Sequence, residues 1–182
     1  MDEIRLLPPS MTYAEQIMAM RQEILNTDKG EDAFAGCGSL QDSETAESWL
    51  AQLRLFESTE TLPPGRVPSS TYLAVRVSDD RLVGIIDLRH HIDHPILSTW
   101  GGHTGYSVRP SERGHRYAKE MLRLNLINCR ARGISKVLVT CNRGNIASEK
   151  SITANGGVFD GEVIVENEII RRYWITLQGE KI

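Results

Sequence analysis

The sequence predicts a mixed α/β fold of the α+β kind, a single domain over residues 1–182 with a mixed central sheet and flanking helices. Three observations carry that prediction. Apolar residues recur at helical spacing near the N-terminus, at Ile17, Met20 and Ile24. The pattern then turns strand-like across TYLAVRVS, starting at Thr71, and RLVGIIDLRH, starting at Arg81. The short apolar run KVLVTC, residues 136–141, stands between two helix-like stretches, as a buried parallel strand does after a crossover helix.

In chain order, residues 1–7 make a short strand stopped by Pro8-Pro9, and residues 13–25 make the first helix. Residues 31–38 read as loop. Asp42 and Ser43 are the candidate caps of a second helix carrying Trp49, Leu50, Leu53 and Phe56. TLPPGRVPSS, residues 61–70, is rich in turn formers. Two strands flank Asp79-Asp80 as a hairpin, and HIDHPILS follows as loop. WGGHTGYSV, residues 100–108, reads as a third central strand whose three glycines ask for a bulge or a close approach. A helix from about His115 to Arg132 is closed by Gly133. Asn145 opens a last helix to Ala154, stopped by Asn155-Gly156-Gly157, and strands near 158–165 and 169–177 form a final hairpin. The order is β-α-α-β-β-β-α-β-α-β-β, with residues 100–141 a right-handed parallel crossover if both strands share a sheet.

Composition narrows the function classes. The chain is 40% hydrophobic and 25% charged with a net charge of −3, which argues against a general nucleic-acid or membrane binder. An aromatic fraction of 6% is low for a base-stacking platform, so Trp49, Trp100 and Trp174 read as core or cleft wall. The isolated Cys37, Cys129 and Cys141 suit buried thiols in a reducing compartment. MDEIRLLPPS lacks the apolar run of a signal peptide, and no stretch reaches transmembrane length. A cytoplasmic enzyme or binding domain is the expectation. The cluster His90-His91-Ile92-Asp93-His94 carries metal-ligand types without a zinc spacing and reads as exposed loop, so no metal is expected. Arg89 and His90 close a strand facing the expected cleft.

The segment VRPSERGHRYAKEML, residues 108–122, gathers Arg113, His115, Arg116 and Lys119 where a helix begins. The first N–H groups of a helix lack intrahelical acceptors and carry the positive end of its dipole, so a phosphate or diphosphate is the natural guest. The competing reading is a solvated basic turn neutralised by Glu112.

This segment resembles the diphosphate loop of the GNAT superfamily of acetyl-CoA-dependent N-acetyltransferases, R/Q-x-x-G-x-G/A after a Val-x-Pro-like strand end. Val108-Arg109-Pro110 leads here to Arg113-Gly114-His115-Arg116-Tyr117-Ala118. Arg113 and Ala118 match; Arg116 stands where the motif has its central Gly. Asn145-Ile146-Ala147-Ser148 is similar to the N-x-x-S/A helix start after the fifth strand. Val83-Gly84, Arg89-His90, Gly101-Gly102-His103, Gly105-Tyr106 and Asn155-Gly156-Gly157 are similar to a bacterial branch of predicted acetyltransferases.

The resemblance implies a splayed pair of central strands with acetyl-CoA between them and direct attack by a primary amine. It implies that backbone amides of Arg113, Gly114, His115, Arg116, Tyr117 and Ala118 hold the diphosphate. Backbone groups near Ser107 and Val108 would hold the pantetheine arm, and Asn145 and Ser148 would touch acetyl-CoA from the far side. His103, on the strand before the loop, is the candidate catalytic base, with a structurally satisfied histidine as the competing reading. The family's general-acid Tyr is replaced by Ile152. Arg116 is expected in ordinary helical φ/ψ. Small-molecule or protein amines are the implied acceptors, and pairing through the C-terminal strands as a homodimer is common in similar proteins. Two further readings stay open: a CoA-binding protein with little catalytic activity, and a phosphate or RNA-backbone binder.

Overall fold

The computed structural model describes residues 2–177, so Met1 of the expected first strand and the last five residues of the expected domain lie outside the described residues. The elements are β1 (Ile4–Leu7), α1 (Ala14–Thr27), α2 (Ala46–Leu55), β2 (Ser69–Arg76), β3 (Arg81–Arg89), β4 (Tyr106–Val108), α3 (Tyr117–Ala131), β5 (Lys136–Asn142), α4 (Ile146–Thr153), β6 (Val158–Val165) and β7 (Glu168–Thr176). Their order is the expected one. The strands form two antiparallel ladders, β1-β2-β3-β4 and β5-β7-β6.

β5 is therefore not the parallel strand of a shared sheet: its hydrogen-bonded neighbour is β7, in antiparallel register from Lys136↔Thr176 to Asn142↔Ile170. The crossover through α3 sets β4 and β5 side by side in separate ladders.

Alternation along β2 and β3 explains the layers. Leu73, Val75, Leu82 and Ile85 face α1 and α2 and pack on Ile17, Met20, Ile24 and Trp49. Ala74, Val83 and Ile86 face the other way, onto Tyr117 and Met121 of α3. β3 is buried from Leu82 to Leu88 because helices cover both of its faces. α3 and α4 close the second ladder through Leu122, Leu126, Val137, Val139, Ile152 and Tyr173.

Two boundaries differ from expectation. α2 is capped by Thr45, whose side chain accepts from the Ser48 N–H in a reciprocal capping box, and not by Asp42 or Ser43. Those two instead belong to a preceding 3₁₀ turn, where the Ser43 hydroxyl bonds the Ser39 carbonyl. The expected strand over 100–108 shrinks to Tyr106–Val108, and Leu97–Gly101 forms one π-helical turn. The glycines explain the loss. A Cβ on Gly102 would lie 2.7 Å from the Leu138 carbonyl oxygen, and one on Gly105 2.7 Å from the Gly36 nitrogen. The close approach the glycines permit is by the protein's own backbone.

Candidate functional site

The site begins with a broken ladder. In a regular antiparallel pair Asp87 and Gly105 would exchange two backbone hydrogen bonds. Here the Asp87 N–H donates to the Gly105 carbonyl at 3.0 Å, but the Gly105 N–H donates to the Asp87 carboxylate at 2.6 Å. The Asp87 carbonyl accepts from the Thr104 hydroxyl and the Asn125 amide instead. Strand β4 starts beyond this irregularity. It is joined to β5 at one end, where the His103 N–H donates to the Leu138 carbonyl at 2.8 Å and the Thr140 hydroxyl to the Trp100 carbonyl at 2.6 Å. From there a cleft of about 1630 Å³ runs between the strands, lined by both and by the starts of α3 and α4.

His103 is part of that joint. Its Nδ1 accepts the Leu138 N–H at 2.9 Å, and its ring meets Trp174 edge-on at 6.4 Å. It is 5% exposed and does not line the cleft. Burial, and then the Arg89 charge, push its pKa down to about 4. The structure thus turns His103 away from the role of base expected for it: the nitrogen that would take a proton is held by a buried backbone donor.

The turn before α3 is shaped from outside. Glu23 on α1 accepts from the Arg109 guanidinium at 2.7 Å and from the Ser111 hydroxyl at 2.8 Å. Burial works against its charge, yet these bonds hold Glu23 down to about 2. Arg113 makes a two-pronged pair with Asp28 and also reaches the Val108 carbonyl. Glu112 does not neutralise the basic turn. It is buried and bonded to Arg76 and Arg81, which outweigh its burial and lower its pKa. His115 faces back, with Nδ1 3.2 Å from the Glu112 carbonyl and its ring on Tyr117, and is absent from the cleft lining. Arg113, Gly114, Arg116, Tyr117 and Ala118 all line the cleft, joined by Lys119.

Arg116 corrects an expectation. It is left-handed, with φ 65° and ψ 16°, and not ordinary helix. It is the residue immediately before α3, so the conformation that the motif's glycine adopts freely is imposed on an arginine, at a cost of about 1–2 kcal/mol. No side chain caps α3. Its first N–H groups therefore open toward the cleft with Arg116 and Lys119 beside them.

The opposite wall differs. The Asn145 side chain caps α4 by accepting the Ser148 N–H at 3.0 Å. The Ser148 hydroxyl lies 2.8 Å from the Tyr106 hydroxyl, a link from β4 to α4. Register on β4 decides which backbone faces outward: Ser107 pairs with Ile85, and the Arg109 N–H bonds Val83, so Tyr106 and Val108 present their groups on the edge away from β3. The Ser107 hydroxyl points to the α1–α2 connection and donates to the Ala35 carbonyl at 2.8 Å. Tyr106 is the site residue that sequence reasoning passed over; its strand alternation opposite Ser107 was the available signal. Ile152, in the place of the family's Tyr, is fully buried in the core.

The same cleft is also lined by residues 27–30, 32, 33, 35 and 36, by Arg89 and Trp100, and by Glu166 and Glu168 where β6 turns into β7. Arg89 is tied to the Gly101 carbonyl and to Asp87. Of the histidine cluster, His90 bonds the Ser70 hydroxyl, while His91 and His94 accept from the Asp93 and Ile96 N–H groups. Among the described residues no helix is long and apolar enough to cross a membrane.

Residues 5–158 match the family model described as an acetyltransferase (GNAT) domain. No curated protein sequence matches the chain. Among solved structures, the Microcin C7 self immunity acetyltransferase MccE, in complex with acetyl-CoA and AMP, superposes with a TM-score of 0.67 at 18% identity, over 97% of this chain and 94% of that one. RimL, a ribosomal L7/L12 α-N-protein acetyltransferase in complex with CoA, gives 0.63 at 16% identity over 96% and 94%. The ribosomal-protein-S5-alanine acetyltransferase from Vibrio fischeri gives 0.63 at 15% over 98% and 94%.

Proposed function

The chain belongs to the GNAT acetyltransferase family, and on that premise we propose that it is an N-acetyltransferase that moves the acetyl group of acetyl-CoA to a primary amine by direct attack. One observation carries the reading: the cleft between β4 and β5 opens onto an α3 N-terminus that no side chain caps. The residues present fit a diphosphate there. The amides around Gly114 to Ala118 have no intrahelical acceptor, and Arg116 and Lys119 add positive charge. MccE and RimL were solved with acetyl-CoA or CoA, which supports the same ligand for this chain.

Acetyl-CoA supplies an activated acyl group; the protein positions it and steadies developing charge. The outward backbone groups of Tyr106 and Val108 take the place proposed for the pantetheine arm, with Ser107 occupied by β3. Asn145 and Ser148 form the far wall. The acceptor enters past residues 27–30, 35 and 36 and Trp100, which line the cleft. With His103 committed to Leu138, the amine's proton leaves through water. Small amines and protein N-termini both remain in the acceptor class, as the relatives act on proteins and on an antibiotic system. A compartment that contains acetyl-CoA is required, and the cytoplasm is our reading.

The test is a melting series with rising acetyl-CoA followed by a transfer assay on a panel of amines and N-terminal peptides. A ligand that binds the native state raises Tm with its concentration. No shift and no calorimetric heat at saturating acetyl-CoA would sink the assignment. A shift without turnover on any amine would favour the second reading, a CoA binder with little activity, for which the missing base is the specific observation.

A further inference from the structure

The structure assigns Tyr106 a catalytic part: its phenol, steadied by Ser148, donates the hydrogen bond that receives the departing CoA sulfur. This rests on the reading of the cleft as an acetyl-CoA site.

β4 sets the direction of a chain bound in the cleft. The diphosphate end is at α3, beyond Val108, and the cleft closes where His103 meets Leu138. A chain laid along the outer edge of β4 from the first point toward the second passes Val108 and then Tyr106, at roughly 3.3 Å per residue. The acyl end is thus carried toward the end of the cleft where β4 and β5 are joined. Protic side chains meet there from three elements: Tyr106 from β4, Ser148 from α4 and Cys141 from β5, all on the lining. The two hydroxyls are 2.8 Å apart.

A serine hydroxyl donates one hydrogen bond, and a phenol can accept one while donating its own. With Ser148 donating to Tyr106, the phenol hydrogen is free to point at a sulfur. Each bond in such a chain polarises the next. Burial pushes the Tyr106 phenol up to about 12, so it stays a donor across the neutral range. Cys141 is likewise pushed up to about 11, chiefly by burial, and remains an uncharged thiol that does not repel a second sulfur.

The step balances without an additional reactant. The amine lone pair forms the C–N bond to the acetyl carbon, the C–S bond breaks, and its electron pair leaves on sulfur. The nitrogen gives its proton to water. Tyr106 keeps its proton and stabilises the thiolate through the O–H···S contact. No tyrosine on α4 is needed, because the phenol arrives from the facing strand.

The experiment reads the sulfur itself and needs no acceptor. CoA is bound to wild type, Tyr106→Phe and Ser148→Ala, and its thiol is titrated by the ultraviolet absorbance of the thiolate. A donor to the charged form lowers a pKa. Wild type is expected to show about tenfold more bound thiolate at a given pH than Tyr106→Phe, with Ser148→Ala between them, one pKa unit being a factor of ten. Affinity for CoA by calorimetry should stay within roughly threefold, since one contact at the sulfur is exchanged and the diphosphate site is untouched. With an amine substrate, kcat of Tyr106→Phe should fall about 100-fold, the usual effect of removing one such donor. Equal thiol titration in wild type and Tyr106→Phe overturns the role of Tyr106 alone. Absence of CoA binding to wild type overturns the cleft assignment beneath it.

Discussion

Helices α3 and α4 both start at the cleft, and they finish their first turns in different ways. α4 closes its own N-terminus: Asn145 accepts the Ser148 N–H at 3.0 Å with an ordinary φ of −83°. α3 has no side-chain cap and is entered through Arg116 at φ 65°. A missing cap costs about 1 kcal/mol and a left-handed arginine about as much again. α3 withstands both because Tyr117, Met121 and Leu122 are buried against the sheet, and because Glu23 and Asp28 hold the preceding turn from α1. The difference separates an end closed by its own side chain from one whose donors stay available for the ligand we propose. The capped terminus has given its Ser148 N–H to Asn145; the open one gives none to a side-chain cap.

The strongest way to break this comparison is to place the same charge at both ends. Asp near a helix start favours the helix through its dipole, so neither Ala118→Asp nor Ala147→Asp should lower the melting temperature much. Ala118→Asp, however, sets a carboxylate against the diphosphate and is expected to weaken acetyl-CoA binding roughly 1,000-fold, or about 4 kcal/mol. Ala147→Asp should weaken it less than about tenfold. Equal losses in calorimetry would show that the two termini are not different in kind.

Next in size is the joint that holds the two termini at fixed separation. Burial, and then the Arg89 charge, push His103 in the folded chain down to about 4 from its ordinary 6.5. Between those values the unfolded chain binds the additional proton, so stability falls as pH falls from 6.5 toward 4, by roughly 2–3 kcal/mol. Urea titrations at successive pH values should show this slope, and His103→Gln should flatten it while lowering stability at neutral pH. A slope unchanged in the variant would mean that other groups carry it.

Asn145→Ala removes a cap of the usual kind and should lower stability by about 1 kcal/mol, read from the urea midpoint. The freed Ser148 N–H then tests whether α4 gains any affinity for acetyl-CoA, which we expect to stay within about threefold.

The smallest effect belongs to Arg116→Gly. It removes the left-handed strain but gives the unfolded chain more freedom, a partial cancellation. The expected net gain is about 0.5 kcal/mol, with acetyl-CoA affinity changed by less than about tenfold. Net destabilisation would mean that the Arg116 side chain holds the turn more firmly than its backbone strains it.

The sequence by itself determined the element order, because burial periodicity is a local property: Ile17, Met20 and Ile24 mark a helix and the β2–β3 run marks a hairpin wherever they pack. It also determined the basic turn before α3 and the start of α4, since Arg113 to Ala118 and the Asn145 cap are contiguous motifs. What only the tertiary structure decided are the pairings made at long range. β5 looks like a parallel strand until β7 is seen beside it, because an apolar run does not state its partner. The glycines of 101–105 signal close approach without naming Leu138 or Gly36. His103 reads as a free base because a sequence shows a histidine's pKa range and not the Leu138 N–H that occupies its ring nitrogen. Arg116 reads as helical because a sequence does not show that the turn before it is pinned by Glu23 and Asp28, more than 80 positions away from their arginines, or that its own φ is 65°. Tyr106 reaches Ser148 across 42 positions by the same logic. Local periodicity is written residue by residue, whereas a donor's partner, and with it the chemistry of a site, exists only once the chain has closed.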